Sequence, residues 1–448
     1  MDFKNKRIAV VGLGKSGFAA AKFLAKKKAF LAVTDGSARP EVLKKARALK
    51  KLRVSVETGG HTVSFVDGSE LLVTSPGVPK ESLPLAFARR KKIPVISEIE
   101  LASYFCQGPI VAVTGSNGKT TTSHLISKIL TDAKKTNVLC GNVGYSFLDF
   151  IPRIHPRTVV VLELSSFQLE DSPRFRPKVA VILNIARNHL DRHKTFGRYV
   201  RAKEKIFANQ RSGDYVVLNY DDPIVRKMAK KARSKVIFFS KKPLAEGVYL
   251  KGSQIVASIK SQRSLTIETG RFQLKGAHNM ENILACVAVA VLLKVSPEKL
   301  QKSLEAFRTL EHRIEPVGNH QGIHFVNDSK STTVESTKAA IQSVTTPIVL
   351  IAGGRDKGAN FAGVEALLKN RVKLVVLYGE AREKIAAAWR SYRRCRRVED
   401  FGGAVRAAYA SAVAGDTVLL SPMCTSFDQF NSFETRGEAF KQIFRELK

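Results

Sequence analysis

Cysteine is scarce in this sequence, and its spacing excludes two kinds of cross-linked fold. The five cysteines of the 448-residue chain are an odd number, lie far apart and form no CxxC pair. Disulfide frameworks and zinc sites need cysteines in pairs or clusters with characteristic spacing. We therefore expect reduced, mostly buried thiols.

Long apolar runs are missing too. Even a long run such as residues 285–293 is far shorter than the roughly 20 residues that cross a bilayer. The first residues pass from a charged segment into a glycine-ended apolar stretch without a small-residue cleavage site, which is not the pattern of a signal peptide. We expect a cytoplasmic protein with no membrane span.

Acidic residues are few relative to basic ones. Asp and Glu number 39 against 74 Lys and Arg, so the net charge is +35, which raises nucleic acid as a partner. The basic runs at 26–28, 89–92 and 393–397 lie in predicted helices or at their ends, without the interleaved aromatics of a base-stacking surface. We expect solvated faces and no nucleic acid, with a basic nucleic-acid-binding ATPase as an alternative.

Short Val/Ile/Leu-rich runs, by contrast, recur along the whole chain and alternate with helical patterns. Such runs are typical of parallel strands buried on both faces, so the predicted fold class is α/β. The length fits two to four domains, and three fit best. Linker-like segments predict domains at 1–97, 98–309 and 310–448. The predicted strands are 8–11, 31–34, 71–74, 110–113, 159–162, 179–183, 216–218, 348–351, 374–377 and 417–420.

A glycine-rich turn, GLGKSG at 12–17, follows the first predicted strand and opens a helix. Glycines let the backbone approach a diphosphate, and the helix N-terminus offers unpaired N–H groups. Asp35, at the end of the next strand, is either a ribose or uracil partner or a turn former. The Ser75-Pro76-Gly77 segment predicts a second turn that faces phosphate or sugar.

A second glycine-rich loop, TGSNGKTT at 114–121, lies between a strand and an amphipathic helix. The strict GxxxxGK[ST] pattern is not met, because residue 113 is Val, but a shorter GxxGKT loop remains. In such a loop Lys119 neutralises the terminal phosphates of a nucleotide and the Thr120 hydroxyl binds Mg²⁺. The alternative is a surface Gly-Lys-Thr without a ligand.

Two further strand ends carry candidate metal ligands. Glu163 follows an apolar strand, where a carboxylate is costly to bury unless it meets a cation, so it is a magnesium ligand or a salt-bridged Glu. His189 lies on a loop after the next strand and is either a ligand of a second Mg²⁺, a substrate contact or a structural His. Several cations follow at 199–205, a segment that alone reads as surface.

Together these motifs resemble the Mur ligase family across essentially the whole chain. Within it, LELSSFQLE and SPMCTSFDQFNSFETRG are similar to the members that join D-glutamate to UDP-N-acetylmuramoyl-L-alanine. The resemblance implies a Rossmann-like UDP-sugar domain, a central P-loop-type ATPase domain with a mostly parallel sheet, and a Rossmann-like amino-acid domain. It rests on the segments 114–121, 141–144, 162–170, 189–193, 275–282, 312–313, 327–332 and 421–433.

The resemblance also implies the activity and its residues. The activity is an ATP- and Mg²⁺-dependent ligation through an acyl phosphate, in peptidoglycan precursor synthesis, by a monomer. Catalytic residues would be Lys119, Asn188, His189 and Lys203, and metal ligands Thr120, Glu163, His189 and Lys203, the last as a carbamate. ATP would be bound by Gly115, Ser116, Asn117, Gly118, Lys119, Thr120, Thr121, His278, Asn279, Asn282, Arg313 and Asp328. The UDP-sugar and D-glutamate would be bound by Ser16, Asp35, Ser75, Asn142, Ser165, Lys330, Thr332, Lys357, Ser426 and Phe433.

One departure from the family pattern concerns catalysis. The family usually has Asp immediately before the metal-side His, and this chain has Asn188, which removes a negative charge. A non-catalytic homologue is therefore an alternative. Others are a different Mur-type ligase or a folylpolyglutamate-synthase-like ligase, although the 12–17 turn and SSFQLE disfavour the latter.

Overall fold

A computed structural model of the chain confirms the α/β class. It describes residues 3–142, 144–260, 264–274, 276–308, 311–356, 358–392 and 394–447, with only the backbone for Leu190, Asp191, Ala277, His278 and Glu335. The chain divides into two compact units, Met1–Phe307 and Arg308–Lys448. No helix among the described residues is long and apolar enough to cross a membrane.

The first sheet has the Rossmann-like arrangement expected for the N-terminal part. Its described strands are all parallel, in the order β3-β2-β1-β4-β5. The strands are β1 (Arg7–Val11), β2 (Phe30–Asp35), β3 (Ser55–Thr58), β4 (Leu71–Thr74) and β5 (Val95–Ser97). The helices are α1 (Lys15–Lys26), α2 (Pro40–Lys50), α3 (Val63–Val66) and α4 (Leu83–Arg90).

The second sheet is mostly parallel and ends in an antiparallel extension. Its described order is β14-β13-β12-β11-β10-β9-β6-β8-β7, and the pairs β12–β13 and β13–β14 are antiparallel. The strands are β6 (Ile110–Thr114), β7 (Asn137–Gly141), β8 (Val159–Glu163), β9 (Val179–Ile182), β10 (Tyr215–Asn219), β11 (Lys235–Ser240), β12 (Gly247–Lys251), β13 (Gln254–Ser258) and β14 (Leu265–Glu268). The helices are α5 (Glu98–Ser103), α6 (Lys119–Asp132), α7 (Phe147–Phe150), α8 (Ser166–Glu170), α9 (Leu190–His193), α10 (Phe196–Glu204), α11 (Pro223–Met228), α12 (Ala277–Leu292) and α13 (Pro297–Ala306).

The second unit contains the third sheet. In the described part its order is β15-β16-β20-β17-β18-β19, with only β15 antiparallel to its neighbour. The strands are β15 (Glu315–His320), β16 (Ile323–Asn327), β17 (Ile348–Gly353), β18 (Val372–Tyr378), β19 (Cys395–Arg397) and β20 (Thr417–Met423). The helices are α14 (Val334–Ser343), α15 (Glu365–Arg371), α16 (Arg382–Ala388), α17 (Phe401–Ala410) and α18 (Phe433–Glu446).

The apolar runs form the core as predicted. Strands β6, β8 and β9 are buried at every position, because helices cover both faces of a parallel sheet. One prediction was wrong: in the basic run at 393–397, the described residues 394–397 do not lie at a helix but include the strand β19. Among the described residues β19 pairs only with β18, and an edge strand can turn its charged side chains to solvent.

Candidate active site

The loop at 114–121 joins the end of β6 to the start of α6. Gly118 precedes the first helical residue with φ of 83°, a left-handed conformation that favours glycine. The Lys119 Nζ donates to the carbonyl oxygens of Gly115 and Ser116, each at 2.9 Å. Asn184, at the end of the neighbouring strand, accepts from the Asn117 N–H at 2.8 Å. The loop therefore curls around the helix N-terminus, where backbone N–H groups and the helix dipole favour an anion.

A carboxylate lies at the carboxyl end of the adjacent strand. The register pairs Val113 of β6 with Glu163 of β8. Asn142 donates to Glu163 Oε1 at 2.8 Å, while the buried Oε2 has no hydrogen-bond partner among the described residues. A buried carboxylate oxygen without a donor is costly unless a cation meets it. The residues present thus fit a hard divalent cation such as Mg²⁺, which prefers oxygen ligands.

Lys203 reaches the same place from α10. Its Nζ donates to Gly115 O at 2.8 Å and to Thr114 Oγ1 at 3.2 Å. Burial lowers the pKa of Lys203 well below its ordinary value, the charge of Lys119 acts in the same direction, and Glu163 opposes both. The fold therefore brings a buried amine with reduced basicity to the loop at 114–121, called the phosphate loop below, although the segment 199–205 alone reads as surface in the sequence.

His189 and Asn188 lie on the loop after β9. His189 is exposed, has a φ of 54°, and its ring centroid is 4.8 Å from that of Phe167. The Asn188 Oδ1 accepts from the His189 N–H at 2.9 Å and so holds the turn. An Asp could accept the same bond, so the departure changes the charge of this loop more than its shape.

Tyr199 connects this loop to the phosphate loop, and nothing in the sequence singled it out. The Tyr199 hydroxyl lies 2.9 Å from Ser116 Oγ, which also accepts from the Ala186 N–H at 2.8 Å. Burial raises the pKa of Tyr199 to about 12, against the hydrogen bond with Ser116. The Lys203 Nζ is 5.0 Å from the centroid of the Tyr199 ring. The sequence offers only a weak signal for Tyr199, an aromatic residue within the cation-rich segment 199–205.

A second unforeseen group surrounds Glu170. Its carboxylate lies 3.0 Å from the Lys80 Nζ, 3.2 Å from His193 Nδ1 and 3.5 Å from Arg192 Nη2. Burial acts to raise the pKa of Glu170, but the hydrogen bonds from His193 and Lys80 outweigh it and lower the pKa to about 2. His193 Nε2 lies 2.9 Å from Ser166 Oγ. The cluster links the first and second sheets of the first unit beside the 189–193 loop.

Asn279 and Asn282, two of the predicted ATP-binding residues, lie in α12 beside the start of α6. Asn282 Oδ1 accepts from Thr122 Oγ1 at 3.2 Å, and Asn282 Nδ2 donates to Asn279 Oδ1 at 3.3 Å. The His278 side chain lies outside the described residues. Ser165 caps α8 in a reciprocal capping box with Gln168, so its hydroxyl has a structural use.

The N-terminal turns form a separate pocket of about 460 Å³. Ser16 and Asp35 line it, as does Ser75, whose hydroxyl donates to Gly12 O at 2.9 Å. The Asp35 carboxylate accepts from the Leu13 N–H at 2.5 Å and from the Ser37 N–H at 2.8 Å, so it shapes the turn while facing the pocket. Asn142 is not among the described residues that line this pocket; its side chain donates to Glu163.

In the second unit, Asp328 stands at the end of β16. It is buried and accepts from Ser421 Oγ at 2.7 Å and from the Ile314 N–H at 3.2 Å. Burial raises its pKa to about 6, against hydrogen bonds from Ser331 and Ser421 and the charge of the neighbouring Arg313. Because folding has already desolvated this carboxyl, a cation or a ribose hydroxyl that reached it would stabilise its charged form.

Lys330 and Phe433 are brought together, with the Lys330 Nζ 5.2 Å from the ring centroid. The nearby Arg436 is fully buried: it donates to Ser329 O at 2.8 Å and to Cys424 O at 3.2 Å. These bonds join the two loops that carry Lys330, Thr332 and Ser426, which are predicted to bind D-glutamate. Lys357 lies outside the described residues.

The comparisons with known proteins agree with this arrangement. Family models match residues 6–97 (Mur ligase MurD-like, N-terminal domain), 113–290 (Mur ligase middle domain) and 312–424 (Mur ligase, glutamate ligase domain). The chain belongs to the Mur ligase family, and it is an ATP-dependent ligase. The resemblance noted in the sequence is thereby confirmed, as is the three-domain α/β fold.

Two similar curated proteins carry the same name. The UDP-N-acetylmuramoylalanine–D-glutamate ligases of Pelotomaculum thermopropionicum and Koribacter versatilis are each 42% identical to this chain, covering 100% of it and 99% of their own length. Among solved structures, the UDP-N-acetylmuramate-alanine ligase of Thermotoga maritima has a TM-score of 0.62 at 18% identity, covering 99% of this chain and 100% of its own. A pseudomurein peptide ligase type C from Methanothermus fervidus has a TM-score of 0.60 at 18% identity over the same shares, and both show the fold alone.

Proposed function

We propose that this chain joins D-glutamate to UDP-N-acetylmuramoyl-L-alanine, with ATP converted to ADP and phosphate. The single observation that carries the proposal is the convergence of Lys119, Glu163 and Lys203 at the carboxyl ends of β6 and β8, beside a loop that wraps a helix N-terminus. Full-length relatives with this activity in their name support the choice of substrates.

A carboxylate is a poor electrophile, because its charge is delocalised and oxide is a bad leaving group. Phosphorylation removes both obstacles, and the acyl phosphate then reacts with the amine of D-glutamate and releases phosphate. Transfer of the γ-phosphoryl group is mainly a matter of position and charge. Lys119, with the N–H groups of the loop, would hold the terminal phosphates, and Asn279 and Asn282 would lie toward the adenine side.

Glu163, Thr120 and His189 would hold Mg²⁺, which when bound offsets the charge that develops on the phosphoryl oxygens. Lys203 would join them as a carbamate, which replaces the positive ammonium group by oxygen atoms that can bind the metal. Its burial and lowered basicity support this, because only a neutral amine reacts with carbon dioxide.

The remaining site residues are divided between the other two domains, for which we propose boundaries near 97 and 309. Ser16, Asp35 and Ser75 would bind the UDP-sugar. Arg313 and Asp328 would contact the nucleotide, while cations and hydroxyls of Lys330, Thr332, Ser426 and the predicted Lys357 would bind the two carboxylates of D-glutamate. We further propose a cytoplasmic monomer that does not use nucleic acid.

Phosphate release tests the proposal. The purified chain would receive Mg·ATP, UDP-N-acetylmuramoyl-L-alanine and one amino acid at a time, with product mass measured in parallel. We expect release with D-glutamate only, matched by a product one glutamate residue heavier. Release with L-alanine, diaminopimelate or lysine would assign a different Mur-type reaction, and stimulation by nucleic acid alone would favour the basic ATPase.

A further inference from the structure

A chain of hydrogen bonds beside the N-terminal pocket fixes the orientation of one imidazole, that of His61. Thr34 of β2 and Glu57 of β3 are paired in register, and Thr34 Oγ1 donates to Glu57 Oε2 at 2.7 Å. The same Oγ1 lies 2.8 Å from His61 Nδ1. The chain of bonds continues on the other side, where Thr62 Oγ1 donates to Glu57 Oε1 at 2.6 Å.

The direction of each bond follows from counting protons. Burial acts to raise the pKa of Glu57, but the hydrogen bonds from Thr62 and Thr34 outweigh it, so this carboxyl is ionised and only accepts. The single Thr34 hydroxyl proton goes to Glu57, since giving it to His61 Nδ1 would leave two acceptor oxygens, Thr34 Oγ1 and the ionised Glu57 Oε2, facing each other at 2.7 Å, and Gly60 O is farther away at 3.4 Å. Thr34 Oγ1 must therefore accept from His61 Nδ1–H. In a neutral imidazole this leaves Nε2 as an acceptor.

His61 lines the N-terminal pocket together with Asp35 and Gly36. Of its ring atoms, Nε2 lies nearest to Gly36, 3.1 Å from a Cβ added there. No hydrogen bond to Nε2 is found within the described part of the chain. In a parallel sheet of this kind the diphosphate lies at the first glycine turn and the nucleoside extends toward the end of β2. The base of a bound nucleotide would thus lie on the side of His61.

We propose that His61 selects the base of the nucleotide substrate, with Nε2 accepting a hydrogen bond from the imide N3–H of uracil. Cytosine has a lone pair at that position, so the two acceptors would repel each other. Each oxygen of Asp35 already accepts one backbone N–H and keeps a further lone pair, so Asp35 can act beside His61 as a second acceptor. The inference rests on the proposed function, which supplies the uridine nucleotide.

Calorimetric binding of UDP and of CDP to the full-length protein tests the assignment. His61→Phe keeps a ring of similar size but has no acceptor, and His61→Gln keeps one. His320→Phe is the matched control, because His320 is also half-buried and packs on a ring, that of Tyr409, in the other unit.

We expect the preference of the wild type for UDP over CDP to fall about tenfold in His61→Phe, the effect of one hydrogen bond, to fall less in His61→Gln and to persist in His320→Phe. A preference unchanged within twofold in His61→Phe, with its circular dichroism intact, overturns this inference and leaves the proposed function standing. A wild type that binds no UDP or UDP-sugar overturns both.

Discussion

Replacement of Gly118 by Ala should damage the phosphate loop in a way that can be worked out from contacts. Its φ of 83° costs a side chain about 1–2 kcal/mol. The added Cβ would also lie far inside the contact distance of Asn282 Oδ1, so Asn282 must move and lose its bonds to Thr122 and Asn279. Breaking bonds between buried polar groups costs about 1–3 kcal/mol more.

Gly252 provides the control, since its φ is 60° and nothing lies within 4 Å of its added Cβ. By urea denaturation, we expect Gly118→Ala to lower the free energy of unfolding by about 2–5 kcal/mol and Gly252→Ala by about 1–2 kcal/mol. Combining Gly118→Ala with Asn282→Ala should cost less than the sum of the two, because they share one contact. Equal losses at Gly118 and Gly252, or strict additivity, would refute the reasoning.

Three further predictions concern charge. Burial raises the pKa of Glu98 to about 7, so between about pH 4.5 and 7 the folded state keeps a proton that the unfolded state loses, and the stability of the wild type falls as pH rises through this window. The stability of Glu98→Gln relative to wild type, measured by denaturation at each pH, should therefore rise by about 3 kcal/mol between pH 4.5 and 8, and a constant difference would contradict this. Arg436→Met should lower the free energy of unfolding by at least about 3 kcal/mol, because Ser329 O and Cys424 O lose their donor. The exposed Arg445→Met should change it by less than about 0.5 kcal/mol, and similar losses in both variants would show that these bonds contribute little. Asn188→Asp should be at least as active as wild type in phosphate release, because Asp can accept the same bond from the His189 N–H and adds a negative charge that favours a cation. A large loss of activity would count against a metal role for this loop.

The parallel strands could be predicted because a strand buried on both faces is apolar at every position. The antiparallel extension was missed for the opposite reason: in β13 buried residues alternate with exposed or half-buried ones and both ends are polar, Gln and Ser, so it offers no long apolar run. The strand β19 was missed because Arg dominates it, and its edge position, which tolerates charge, is a property of the assembled sheet.

Motifs indicated which loops carry chemistry, but not what each side chain does there. Asn142 was predicted to contact the UDP-sugar, and the structure pairs it with Glu163, a contact between the residue after β7 and the last residue of β8. Tyr199 has no motif at all; its link to Ser116 arises only when α10 packs on the loop. Contacts between distant segments depend on the fold, which local sequence does not encode.

The central claim is that the 114–121 loop binds the triphosphate of Mg·ATP through Lys119. Titration calorimetry of Mg·ATP into wild type, Lys119→Ala and Lys128→Ala tests it most directly, because Lys128 lies on the same helix and pairs with Asp132 at 2.8 Å. We predict that Lys119→Ala weakens binding at least tenfold and that Lys128→Ala leaves it unchanged. No binding by the wild type, or equal binding by all three, would contradict the account.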